Sequence, residues 1–76
     1  MMTFVLISET YEIIQTFRSL SILDIDLGKI LPNHEEVEFI SNSCMIIDDC
    51  WILAEQAYLN KTLLESIQEH GATKPN

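Results

Sequence analysis

The clearest pattern of hydrophobic positions begins after Pro32. Seven apolar positions recur at alternating spacings of three and four residues, as on one face of an amphipathic helix: Val37, Ile40, Cys44, Ile47, Trp51, Ala54 and Tyr58. A second apolar row runs beside the first from Ile46 to Ile67. The pattern predicts helix across 33–70, either as one helix or as two that meet near 41–43.

Capping residues favour the same boundaries. Asn33 is a good N-cap, and Glu36 follows three residues later, as in a capping box. Ser43 could cap a second helix within the segment. Gly71 follows the last apolar position and is typical of a helix C-terminus. We therefore expect a single helical domain over 1–71 and a flexible tail over 72–76.

The N-terminal third fits two interpretations. Tyr11, Ile14 and Phe17 fall on one side of a helix over 3–20, and a short helix would follow near 22–31. Alternatively, the stretch from Thr3 to Ile7, rich in β-branched and aromatic residues, is typical of a strand, and the alternation over 23–27 is typical of another. The chain has only two glycines and two prolines, which is few for a sheet joined by tight turns. That shortage favours helix.

Together these patterns predict an all-α fold, a small bundle of three to four helices. The alternative is an α+β fold with strands near 3–7, 22–27 and 36–41 against a C-terminal helix over about 49–70. The two apolar rows cover more than half of the long helix, and little chain remains to bury them. The sequence thus leaves a homodimer, or an obligate partner, open.

Length and charge restrict the classes of function. The chain has 76 residues, which allows one domain, and a formal net charge of −8. This charge argues against nucleic acid or an anionic membrane as a direct ligand, because phosphate binding needs clustered Lys and Arg. Cys44 and Cys50 would face apart on a helix, so no disulfide is expected. We expect a cytoplasmic protein.

No arrangement of residues predicts catalysis. His34 and His70 lie at opposite ends of the predicted helix, and no third ligand joins Cys44 and Asp48 at helical spacing. The sequence also lacks a glycine-rich loop that would present backbone N–H groups to an oxyanion or a phosphate. We therefore expect no enzyme activity, no cofactor and no metal.

The distribution of acidic residues is more informative. The segment 30–60 contains six carboxylates and no Lys or Arg. On a continuous helix, Glu35, Glu38 and Asp49 would lie within about 60° of one another, opposite the apolar row. Asp48 and Glu55 belong to the same acidic stretch. Such a face is either a solvated surface or a docking surface for a basic partner.

Two functions follow from these patterns. The first is a small acidic inhibitor that masks a basic, nucleic-acid-handling protein, in the manner of immunity proteins, antitoxins and phage-encoded inhibitors. The second is an interaction subunit or secretion chaperone that binds a partner helix through its apolar row, with Ile47, Trp51 and Tyr58 at the interface. The sequence also predicts that Trp51 is buried, either in the core or in a subunit interface.

Overall fold

The chain folds around a five-stranded antiparallel sheet. The computed structural model describes residues 1–60 and Glu65. The strand order is β2-β1-β5-β4-β3, and the strands are β1 (Met2–Ile7), β2 (Ile13–Ser19), β3 (Val37–Ser41), β4 (Cys44–Ile47) and β5 (Cys50–Ala54). A 3₁₀ turn (Ile22–Asp24) and a short helix α1 (Leu27–Ile30) connect β2 to β3, and α2 (Glu55–Leu59) follows β5.

The two central strands, β1 and β5, are buried on both faces of the sheet. They pair with each other from Phe4 opposite Ala54 to Ile7 opposite Trp51. Both strands are nearly continuous apolar runs, FVLI and WILA, and all eight of these side chains are buried. Continuous apolar runs are typical of strands that are covered on both sides.

Each face of the sheet carries its own apolar cluster. The front face, which includes Phe4, Leu6, Met45, Ile47 and Ile52, packs under the connection that runs from Ile22 to Leu31. The back face consists of Val5, Ile7, Cys44, Trp51 and Leu53, and Ile40, Ile46 and Tyr58 pack against it. The sheet therefore forms the middle of the core and not one wall of it.

Trp51 is the largest buried side chain, with 0% of its surface exposed. Its indole stacks on the Tyr11 ring at a centroid distance of 5.1 Å. The indole N–H has no hydrogen-bond partner among the described residues, which makes its burial more costly than that of an aliphatic side chain. The prediction that Trp51 is buried is confirmed, and it lies in the core of a single chain.

The tight turns use residues other than glycine. Asp48 and Asp49 alone connect β4 to β5, and Asp48 has a φ of 50°. Tyr11, in the connection between β1 and β2, has a φ of 66°. Asp enters this left-handed region more readily than most residues, although less readily than glycine. The shortage of glycine and proline therefore did not exclude a sheet.

The predicted all-α bundle is wrong. Strands β1 and β2 occupy most of the helix predicted over 3–20, and β3, β4 and β5 occupy much of the one predicted over 33–70. Apolar residues fill almost every position of β4 and β5, so they also fill positions three and four apart, and the helical pattern was a coincidence. Asn33 caps no helix, and the suspected break near 41–43 is the turn between β3 and β4.

The alternative α+β interpretation placed strands near 3–7 and 36–41, where β1 and β3 run. It also placed a strand over 22–27, where the 3₁₀ turn leads through two extended residues into α1, and began a helix at 49, before β5. The Gly71 cap and the tail over 72–76 lie outside the described residues. Among the described residues, no helix is long and apolar enough to cross a membrane.

Replacing Trp51 with alanine tests the importance of the back face. Because Trp51 is fully buried in the core, Trp51→Ala should lower the free energy of unfolding by about 3–5 kcal/mol. Leu20→Ala is the control, since Leu20 is 70% exposed and its loss should change stability by no more than about 0.5 kcal/mol. Urea denaturation measures both, and equal midpoints for the two variants would contradict the assignment.

Candidate protein-binding site

Three connections of the chain meet at one end of the sheet. Ile7 ends β1 opposite Trp51, and the β4–β5 turn lies beside the start of β3, because Val37 pairs with Ile47. The β1–β2 connection, the residues before β3 and the β4–β5 turn therefore share this end. We call it the acidic end, and its carboxylates are Glu9, Glu12, Glu35, Glu36, Asp48 and Asp49.

Asp48 ties two of these connections together. Its carboxylate accepts hydrogen bonds from the backbone N–H of Glu35 at 3.1 Å and of Glu36 at 2.9 Å. Its own backbone N–H donates to the Glu36 carbonyl at 3.0 Å. The bonds from Glu36 and Glu35, in that order, lower the pKa of Asp48, and the nearby His34 adds to the shift. Asp48 thus holds Glu35 and Glu36 beside the β4–β5 turn.

A serine shapes the β1–β2 connection in a similar way. The Ser8 hydroxyl accepts from the backbone N–H of Thr10 at 3.3 Å and of Glu12 at 3.2 Å. The backbone N–H of Ser8 donates to the Glu12 carbonyl at 2.9 Å, which closes the connection. The carboxylate-bearing residues at its two sides, Glu9 and Glu12, are therefore carried on a hydrogen-bonded turn.

The acidic end has no basic partner within the described part of the chain. None of its carboxylates forms an ion pair there, and Glu35, Glu36, Asp48 and Asp49 line one shallow depression. Arg18 and Lys29, the two Lys or Arg residues in the described part of the chain, border a different hollow, next to Asp24 and Asp26. His34 lies near this end, and its ring nitrogen Nδ1 donates to the Leu31 carbonyl at 2.7 Å.

The structure gathers most of the acidic residues that the sequence singled out, though not on a helix. Glu35, Asp48 and Asp49 meet in the depression, and Glu38 borders the adjoining one, beside Glu36 and Val37. Glu55 lies apart from them, because it follows β5 at the opposite end of that strand. Hydrogen bonding between strands brings these side chains together, whereas the sequence pattern predicts that Glu35, Glu38 and Asp49 share one face of a helix.

The predicted apolar interface is divided between the two faces of the sheet. Ile47 belongs to the front face and Trp51 to the back face, and both are fully buried. Tyr58 is half-buried and packs against the back face. These three residues therefore form no continuous surface that a partner helix could contact.

Sequence reasoning missed two groups of residues here. Glu9 and Glu12 were not assigned to the acidic surface, because their approach to the β4–β5 turn depends on the long-range pairing of β1 with β5. Val37 and Phe39 were assigned to no exposed surface, yet they are 44% and 48% exposed on β3. Alternation over 37–39 is the local pattern that indicates this strand, which the α+β alternative placed near 36–41.

The two cysteines are unsuited to nucleophilic chemistry. Burial raises the pKa of the Cys44 thiol to about 11. Burial also raises the pKa of Cys50, and the charges of Asp49, Asp48 and Glu9 raise it further. Both thiols are free and lie on opposite faces of the sheet. Because the thiolate is the reactive form, neither cysteine is an activated nucleophile.

Comparisons with known proteins give no further assignment of the site. No protein-family model, curated protein or solved structure matches this chain. Among the described residues, no three His, Cys, Asp or Glu side chains are grouped so that they could hold a metal ion. The candidate site is therefore defined by its geometry and charge.

The hydrogen bonds to Asp48 predict a loss of stability in acid. The folded-state pKa of Asp48 is below its usual value, so its stabilising contribution is present above the unfolded-state pKa and is lost as pH falls through the folded-state pKa. Asp48→Asn should therefore destabilise the protein at neutral pH. The difference in free energy of unfolding between parent and variant, here called the gap, should narrow as pH falls. Chemical denaturation across the acid range measures this gap.

Asp49→Asn is the matched control for this experiment. It removes the same charge from the same turn, but no backbone N–H of residues 1–60 donates to the Asp49 carboxylate. It should therefore cost less stability at neutral pH than Asp48→Asn. Equal losses for the two variants would show that the backbone bonds to Asp48 do not hold the site together.

Proposed function

We propose that this chain is a small, non-enzymatic binding protein that masks the basic, nucleic-acid-contacting surface of a protein target. Immunity proteins, antitoxins and phage-encoded inhibitors act in this manner, and we place its action in the cytoplasm. The observation that supports the proposal is the acidic end, where three separate connections contribute six carboxylates and the described part of the chain contributes no Lys or Arg.

The separation of charges favours this function over a simple solubility role. Surfaces that serve only solubility usually carry both charges interspersed. Here Arg18 and Lys29 border a hollow beside α1, and the acidic end has neither. A cluster of one sign attracts an oppositely charged surface over several ångströms and speeds the encounter with it.

The rigidity of the acidic end also supports binding. Asp48 accepts the backbone N–H groups of Glu35 and Glu36, so the segment before β3 is held to the β4–β5 turn before any partner arrives. A surface that is already ordered loses less conformational entropy on binding. The alternative, a subunit that binds a helix through an apolar row, is less favoured because Ile47 and Trp51 are buried.

The proposed function predicts that two acidic positions matter for partner binding and two others do not. Glu35→Gln with Asp49→Asn removes two charges from the acidic end. Asp24→Asn with Glu55→Gln removes two charges from elsewhere on the surface and is the matched control. The first pair should slow association with a basic partner and reduce its salt dependence, whereas the control pair should change both much less.

The experiment begins with capture of partners from the source cell at low salt, followed by elution at high salt. Each purified partner is then tested for nucleic-acid binding in the presence of the parent chain, the acidic-end variant and the control variant. The proposal expects the parent and the control to displace the nucleic acid and the acidic-end variant to do so poorly. Equal displacement by all three, or displacement by none, would contradict it.

A further inference from the structure

Strand β3 is an edge strand of the described sheet, and some of its backbone groups point away from β4. The Asp48 N–H donates to the Glu36 carbonyl, and the β3–β4 register places Glu38 opposite Ile46. In an antiparallel pair, hydrogen-bonded and non-hydrogen-bonded positions alternate, so Glu36 and Glu38 bond toward β4. The N–H and C=O groups of Val37 and Phe39 therefore point away from the sheet, where no other described strand pairs with them.

The side chains along this edge alternate in chemistry. Val37 and Phe39 pair with Ile47 and Met45, so they extend the apolar front face beyond its cover and remain 44% and 48% exposed. Glu38 points to the back face, and Glu36 occupies the same side two residues earlier. One face of the edge is thus apolar, and the other presents two carboxylates.

The opposite edge of the sheet is better protected against a new strand. The β1–β2 register shifts between Leu6 and Ile7, which leaves a bulge near Ile14. A bulge and a cation are two common means of blunting a sheet edge, and β2 has both, since it also carries Arg18. Strand β3 has no Lys, Arg or Pro. Its own register shift lies at its far end, between Phe39 and Ser41, so the pairing stays regular from Val37 to Phe39.

We propose that the edge of β3 binds an extended segment of the partner as an additional antiparallel strand, in which apolar and basic residues alternate. This rests on the proposed function, which makes the partner basic. The apolar side chains of the segment contact Val37 and Phe39, and its Lys or Arg side chains lie beside Glu36 and Glu38. Backbone hydrogen bonds supply affinity, and the alternation supplies specificity.

Charge complementarity favours this occupant over a second copy of the chain. The edge lies next to the acidic end, and the chain has a net charge of −8, so two copies repel each other during their approach. A segment with lysines at alternate positions is attracted to the same place. Strand addition also covers the exposed parts of Val37 and Phe39, which a purely ionic contact would leave in water.

The test uses a synthetic peptide of about eight residues in which lysine and valine alternate, long enough to form one strand. In the proposed register the valines lie opposite Val37 and Phe39, so their N–H groups point toward β3 and those of the lysines point away. Methylation of the valine amides should weaken binding about tenfold or more, because it removes the pairing donors. Methylation of the lysine amides is the matched control and should leave binding nearly unchanged.

Hydrogen exchange supplies a second readout on the protein. The bound peptide should slow exchange of the Val37 and Phe39 amides, with which no other strand of residues 1–60 pairs. Val37→Pro removes one outward donor from the edge and should weaken binding more than Val37→Ala, which retains that donor. Neither change removes a bond to β4, so the fold is retained.

Three outcomes would overturn the proposal. The first is that methylation of the valine amides weakens peptide binding no more than methylation of the lysine amides does. The second is equal binding of a peptide with serine in place of valine, without protection of the edge amides; the acidic end would then still attract a basic partner, and only strand addition would fail. The third is that sedimentation detects a dimer in the absence of peptide and that the Val37 and Phe39 amides are protected from exchange in that dimer. A second copy of the chain would then be the occupant.

Discussion

The pairing of β1 with β5 is the constraint on which the rest of the structure depends. It joins the N-terminal hairpin to the three-stranded C-terminal meander, from Phe4 opposite Ala54 to Ile7 opposite Trp51. Both strands are apolar at consecutive positions, so neither face of the sheet can remain in water. The connection over 22–31 covers the front face, and Tyr58 is part of what packs on the back.

The same pairing creates the acidic end. Antiparallel strands that begin and end together bring their connections together, so residues distant in sequence, such as Glu9 and Asp49, lie on one end of the sheet. Asp48 then adds the segment before β3 through its bonds to two backbone N–H groups. The structural role of Asp48 thus positions Glu35 and Glu36, and this links the stability of the fold to the arrangement of the acidic end.

The apolar faces of the sheet become exposed to solvent at its edges. The front face is covered over β1, β5 and β4, and its margin at Val37 and Phe39 is exposed. An exposed edge strand is an aggregation hazard unless charge or a partner protects it. At β3, the nearby carboxylates repel other copies of this acidic chain, so under the proposed function the residues that protect the edge would also attract a basic segment.

The sequence by itself determined the burial of Trp51 and the acidic stretch without cations over 30–60, since both depend on residue type alone. The sequence was enough to assign Glu35, Glu38, Asp48 and Asp49 to an acidic surface. It was not enough to assign Glu9 to that surface or to predict the exposed edge of β3. The strands were predictable only in part, through the alternative that placed β1 and β3, because an apolar run matches helical and strand periods equally well when both faces are buried. Only tertiary structure decided between them: the long-range pairing of β1 with β5 gives those runs two covered faces, which a single amphipathic helix could not provide.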